Sequence, residues 1–309
     1  MLSTRNSQLA LKIEAVEGTM EALVAADVIL ASSPKFTPGL KMYERADKAM
    51  AGDMSPVANI PGLRDGKITF DVELCGGGTA GAAPHYSSAM RCCGAEETIV
   101  ALTSVTYKPI SDNIPSCTVA FYEDGKIKRI WGARGSAVIK YIDGEPAVIS
   151  FTFTGADWQV VDGPLLTGVT YPSTVPPVFM GVTFSVGAYE AVINSVEHDL
   201  GNTVALRKGV SSSSGHISGR ITARKSTLKI DPEDVLAADH DFFATWRSGA
   251  LVAVSAGFGG APGNTINFTA PKAQYQTVSG ADRDKISTLD INAMLTRDVG
   301  NDEWQIQIT

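Results

Sequence analysis

The order of elements in this chain is written twice, once before about residue 155 and once after about residue 180, which restricts the fold to one built from two alike units. In the first half the alternating run Lys67-Ile68-Thr69-Phe70-Asp71-Val72-Glu73-Leu74 leads through a Gly-rich bend to a short helical stretch at 83–94 that closes on Gly94. In the second half Gly219-Arg220-Ile221-Thr222-Ala223 leads through Ser226 to Ile230, then to a helical stretch at 238–249 that closes on Gly249. Glycine suits the left-handed residue that ends a helix. Each half then finishes on strict alternation: Ala147, Ile149, Phe151 and Phe153 in one, Leu289, Ile291, Ala293 and Leu295 in the other. A period of two buries one face of a strand.

Between the halves, residues 163–177 carry Pro164, Pro172, Pro176 and Pro177. This segment reads as extended, because proline neither continues a helix nor donates to a sheet. The expected organisation is a β domain with an N-terminal arm at 1–155, a Pro-rich linker at 156–180 and a second, similar β domain at 181–309. The first segment, 9–30, fits both periods: Leu9, Leu11, Ile13 and Ala15 alternate, while Ile13, Val16 and Met20 have helical spacing. A strand followed by a loop at Glu17-Gly18-Thr19 is expected. Units built alike can occupy equivalent places in a larger assembly.

With 309 residues the chain can bury two ordinary cores. Charged residues make up only 19% against 44% apolar, with 30 glycines and 15 prolines, a balance that favours many short strands joined by turns. The net charge of −7 argues against a reader of nucleic acid, which carries a basic stripe, but not against a surface past which DNA slides. No secretion signal and no run of about 18 apolar residues is present, so a soluble, unprocessed chain without membrane insertion is expected.

The search for chemistry assigns no catalytic, cofactor-binding or metal-ligating residue. Cys75, Cys92, Cys93 and Cys117 all lie in the first half, and the adjacent pair does not suit metal-ligand spacings, so reduced structural thiols are expected. His85 and His240 stand at matching places near the two helix starts, where capping or surface positions are expected. Asp239-His240-Asp241 reads as a solvated helix start, since successive side chains diverge. Gly76-Gly77-Gly78-Thr79-Ala80-Gly81 lacks the Lys-Ser/Thr of a phosphate loop and reads as a strand-to-helix connection. Ser211-Ser212-Ser213-Ser214-Gly215 is a polar loop. Asp71 and Glu73 share the face opposite Phe70 and Val72; lining a channel, they would repel phosphates.

The string Phe70-Asp71-Val72-Glu73-Leu74-Cys75-Gly76-Gly77-Gly78-Thr79-Ala80-Gly81-Ala82-Ala83-Pro84, then Arg91-Cys92-Cys93-Gly94 and Ser104-Val105-Thr106-Tyr107-Lys108-Pro109-Ile110, resembles the tail tube proteins of phages with long non-contractile tails. Asp124-Gly125 before Gly132-Ala133-Arg134-Gly135, the ending Phe151-Thr152-Phe153-Thr154-Gly155, and the series from Asp241-Phe242-Phe243-Ala244 to Ala270-Pro271-Lys272 agree with it. The resemblance runs from about Glu17 to the carboxyl terminus. It implies a mainly β fold of two β-sandwich or partial-barrel domains, each with a small flanking helix.

It also implies a structural protein of the virion tail, not an enzyme, made and assembled in the host cytoplasm. Its expected partners are itself, a tape-measure protein, a tail terminator, a distal tail component, and double-stranded DNA passing without specificity. If both units act as tube domains, three chains make a pseudo-hexameric ring; if one does, six are needed. The polar insertions at 41–64, with Tyr43, Glu44, Arg45 and Asp47, and at 203–215, with Arg207 and Lys208, are expected to set ring stacking. Rival readings are a tandem β-sandwich adhesin or carbohydrate-binding module, which would expose aromatic residues at loop tips, and a β-sandwich hydrolase. Trp131, Trp158, Trp246 and Trp304 are scattered, and no acid, base and nucleophile set converges.

Overall fold

The computed structural model describes residues 3–45 and 52–309. Its first half contains β1 (Ser7–Ile13), β2 (Val28–Ile29), β3 (Ser32–Tyr43), β4 (Ile60–Glu73), α1 (Ser87–Cys92), β5 (Ala95–Val100), β6 (Ser104–Pro109), β7 (Cys117–Glu123), β8 (Lys126–Ile142), β9 (Val148–Gly155) and β10 (Asp157–Asp162). The second half contains β11 (Thr183–Val186), β12 (Tyr189–Glu190), β13 (Ser195–Asp199), β14 (Asn202–Lys208), β15 (His216–Arg224), β16 (Thr227–Ile230), α2 (Phe242–Ser248), β17 (Leu251–Phe258), β18 (Ile266–Arg283), β19 (Ile286–Leu295) and β20 (Gln305–Ile308). The protein is mainly β, antiparallel throughout its named pairings, with two short α-helices and one 3-10 turn at Ala25–Asp27 among the described residues. No described helix is long and apolar enough to cross a membrane.

One pairing scheme serves both halves. In the first, β2 pairs with β1, β1 with β7 and β7 with the start of β8; β8 then pairs with β10 at its start and β9 along its end, and β9 leads through β4 to β3. In the second, β12, β11, β17, β18, β20, β19, β16 and β13 repeat those partnerships. The long strands β8 and β18 therefore each pass from one sheet layer to the other. The hairpin β5–β6 has no counterpart, and β6 pairs with β20, so a first-half hairpin extends a second-half sheet.

The alternating runs bury the faces expected of them. On β4, Ile68, Phe70 and Val72 point inward, followed by Leu74 just past its end, and on β9 Ile149, Phe151 and Phe153 do the same. The rings of Phe70 and Phe151 lie 5.3 Å apart and those of Phe70 and Phe153 5.9 Å apart. Each such buried side chain contributes roughly 1.5–3 kcal/mol of apolar burial. On β19, Leu289, Ile291, Ala293 and Leu295 are likewise buried. Most core residues of both halves form one continuous cluster, beside a small separate one of Ala10, Val28, Ala120 and Tyr122.

Both helices end on glycine in the left-handed region, Gly94 at φ +78° and Gly249 at φ +67°. The segment 9–30 opens as the strand β1 and turns at Gly18, as expected. Residues 163–177 carry no helix or strand.

The two polar insertions need correction. Residues 203–208 are not loop but most of β14, which pairs with β15 as a separate two-stranded arm; only 209–215 forms its tip. The arm of the first half is longer, because β3 continues to Tyr43 and β4 begins at Ile60. Residues 46–51, part of the insertion, lie outside the described residues. The polar composition reflects a two-stranded arm with one face in solvent, where alternation is blurred by bulges at Thr203/Val204 and Leu40/Met42.

Candidate assembly surfaces

The seam between the halves is a strand pairing. β8 meets β13 with Val138 opposite Asp199, Ile139 opposite His198, Lys140 opposite Glu197 and Tyr141 opposite Val196. On the solvent side Lys140 Nζ lies 3.5 Å from Glu197 Oε2. On the core side His198 is fully buried, and neither ring nitrogen has a hydrogen-bond partner. Its ring lies 5.1 Å from Phe268 and 5.3 Å from Trp304, centroid to centroid. Burial in this apolar setting pushes its pKa down to about 3, so the imidazole is neutral.

The β14–β15 arm then reaches back across the first half. Asn202 Nδ2 donates to the Cys93 carbonyl at 2.6 Å and to the Gly135 carbonyl at 3.1 Å. At the tip, Arg64 N donates to the Ser214 carbonyl at 3.0 Å, and His216 Nδ1 lies 2.8 Å from the Arg64 carbonyl. In the middle, Arg134 on β8 donates to the carbonyl of Gly219, to Glu17 at 2.8 Å and to the Ile114 carbonyl at 3.0 and 2.7 Å. Ser218 Oγ also donates to Glu17, at 2.6 Å.

Burial would raise the pKa of Glu17. Hydrogen bonds from Ser218 and Arg134, with the charges of Arg134 and Arg220, outweigh burial and hold its carboxyl below the ordinary value. Behind it the buried Glu14 accepts from Gly18 N, Gly132 N, Ser116 Oγ and Thr118 Oγ1. Gly18, at φ +77°, lies so close to the arm that a β-carbon would collide with the Ile217 carbonyl oxygen.

Two edges of the extended sheet remain open. Among the described residues β3 pairs only with β4, and beyond Tyr275 β18 pairs only with β19. From β3 through β4, β9, the end of β8, β13, β16 and β19 to β18 the sheet runs unbroken. Its outer face is polar: Asp71 accepts from Ser150 at 2.6 Å, and Lys229 lies 3.7 Å from Asp290. Glu73 is exposed on the same face, opposite Val148.

The residues singled out in the sequence mostly do not converge. Neither His85 nor His240 caps a helix. His85 Nε2 lies 3.3 Å from the Leu30 carbonyl, whereas Asp241 caps α2 by accepting from Ala244 N at 2.7 Å. His240 instead stacks on Tyr189, centroids 4.6 Å apart. A ring two residues before the helix can pack sideways, and the shorter Asp241 carboxylate fits the cap. The four cysteines are buried free thiols, and burial raises Cys75 to about 11. The Gly-rich connection packs on the second half, where Gly76 N donates to Asn264 Oδ1 at 2.7 Å. Ser214 of the serine loop is buried at the arm tip.

Glu14, Glu17, Arg134 and His198, which build the seam, carry no local pattern that marks them. Arg134 stands out only as a charge inside an otherwise small and apolar stretch of strand. A family model described as phage tail tube protein matches residues 4–293. No curated protein matches the chain.

Proposed function

The chain belongs to the phage tail tube protein family, and on that premise we propose that its copies close into rings that stack as the conduit for the phage genome. As a member of that family it is a structural component of the virion tail. The observation that carries the ring reading is the β8–β13 seam. There the end strand of one four-strand set pairs with the first strand of the next. The two open edges of this eight-strand sheet, β3 and the end of β18, are the same two strand types, so one copy's β18 offers the next copy's β3 what β8 offers β13. Pairing them around a ring covers edges that would otherwise invite aggregation.

Both halves act as tube units in this reading, so three chains give a ring of pseudo-sixfold symmetry. Eight strands per chain make twenty-four. At about 4.8 Å per strand their circumference is at least about 115 Å and the backbone diameter at least about 37 Å, room for a DNA duplex inside the side chains. The polar face bearing Asp71 and Glu73 lines the lumen, where fixed carboxylates keep phosphates from sticking. The polar insertion at 41–64 sets the stacking of adjoining rings. Deleting residues 46–56 is expected to leave folded protein that does not form tubes.

The remaining partners are a tape-measure protein within the growing tube, a terminator at the head end and a distal tail component, with assembly in the host cytoplasm. The deciding experiment is negative-stain electron microscopy across a concentration series, with mass measurement of discrete species. Trimeric rings or hollow tubes built from them support the reading, and hexameric rings would assign the second half elsewhere. A monomer at every concentration would overturn it for the isolated chain.

A further inference from the structure

The β14–β15 arm seats its apolar face within the chain, whereas its counterpart, held at Arg64 by Asp157 and at the Gly39 carbonyl by Trp158, leaves Leu40 and Met42 uncovered. Asp199 and Lys35 hold matching places opposite Thr227 and Thr69. Counting outward from them aligns Val204 with Leu40 and Leu206 with Met42. Val204 and Leu206 are half-buried against the first half, between the exposed Thr203, Ala205 and Arg207. Leu40 and Met42 are 48% and 46% exposed.

The seat shows the same asymmetry. The seated arm brings Ile221 beside Gly94, at the end of α1, and α1 itself buries Ala89, Met90 and Cys92. The matching helix α2 buries only Phe242, leaving Phe243, Trp246 and, just past Gly249, Leu251 between 40% and 48% exposed. The cation is matched as well. Arg134 precedes Gly135, which faces Phe153, and Lys272 precedes Ala273, which faces Leu295. Lys272 holds an exposed pair with Asp298 where Arg134 holds Glu17 and the arm.

We propose that the β3–β4 arm of one copy seats on the α2 face of the preceding copy's second half, the copy whose β18 pairs with its β3, with Leu40 and Met42 against Trp246 and Leu251 and Lys272 in the place of Arg134. The inference rests on the ring reading above. It specifies the occupant of both bare surfaces as a second copy, because each corresponds to one side of an interface the chain already makes internally. The contact is heterologous, since arm and seat are different surfaces, and so it propagates around a ring instead of closing a two-fold dimer.

The test is disulfide trapping in the full chain, with Leu40→Cys and Leu251→Cys combined and the protein oxidised at assembling concentration; the native thiols are buried. A covalent ladder ending at the copy number of the ring, absent from either single variant, is expected. Rings or tubes in the microscope without a ladder, or with a cross-link confined to single chains, overturn the arm placement and leave the ring reading standing. Unmodified protein that stays monomeric at every concentration removes the ring reading and this inference with it. Independently, Leu40→Glu with Met42→Glu changes only exposed side chains. It should raise the concentration for half-assembly by more than about tenfold, the size of one lost interface contact. An unchanged value would also overturn the placement.

Discussion

Arg134 and Glu17 meet at 2.8 Å beneath the β14–β15 arm, and the same guanidinium holds the carbonyls of Gly219 and Ile114. One buried cation thus ties the N-terminal segment, the first half and the second half together. Replacing it with alanine leaves two carbonyls without their donor and Glu17 with only Ser218 and Arg220. Arg134→Ala is expected to destabilise the chain by roughly 2–3 kcal/mol, read by urea unfolding. Arg134→Lys should recover only part of that, since an ammonium cannot reach all three acceptors in the fork geometry of Arg134.

Gly18 and Gly125 separate backbone strain from collision. Both have positive φ, +77° and +93°, but only Gly18 faces an obstacle, while nothing lies near a β-carbon at Gly125. Gly125→Ala should cost about 1 kcal/mol, the strain of a left-handed residue with a side chain. Gly18→Ala should cost at least about 2 kcal/mol more, because the arm must lift from its seat. Equal shifts in melting temperature for the two variants would mean that the arm is not pressed against residue 18.

His198 gives the seam a pH dependence. Its folded pKa, about 3, lies below the ordinary value of 6.5. The unfolded chain therefore takes up a proton near pH 6.5 that the folded chain refuses until far lower pH. The stability it permits is complete above about pH 6.5 and falls as pH drops from there toward 3. Between pH 7 and 5 the loss is about 2 kcal/mol. His198→Leu should remove that component, so the stability difference between variant and parent should shift by this amount between the two pH values. A constant difference would refute the neutral buried imidazole.

Charge on the face proposed to line the lumen is testable without altering the core. Asp71→Lys with Glu73→Lys should leave the unfolding curve within about 1 kcal/mol of the parent, as expected for substitutions away from the core. Tubes of the variant should retain added duplex DNA at low salt and release it as salt rises. Parent tubes should retain little. Equal retention by both would place that face away from the DNA.

What could be read from the sequence was what is local or repeated. Alternation in 67–74, 147–153 and 289–295 gave the buried faces of β4, β9 and β19, because a strand turns successive side chains to opposite sides whatever it pairs with. Gly94 and Gly249 marked both helix ends because only glycine takes the left-handed cap without steric cost. The polar arm at 203–215 was misjudged because a two-stranded arm with one wet face has the composition of a loop. Of the capping or surface roles expected for His85 and His240, capping fell instead to Asp241, next to His240, because sequence position alone does not choose between neighbours.

The sequence by itself determined that this chain is a duplicated, mainly β protein of the tail tube family, because periodicity, turn residues and repetition are properties of the string. Only the tertiary structure decided that β8 meets β13, that Arg134, Glu17 and Gly219 converge, that His198 is sealed among aromatic rings, and which arm has a seat. Those contacts join residues that are mostly tens of residues or more apart in the chain, and no local pattern encodes them. They are selected by which edges remain unpaired and which buried polar groups find partners once both halves have folded.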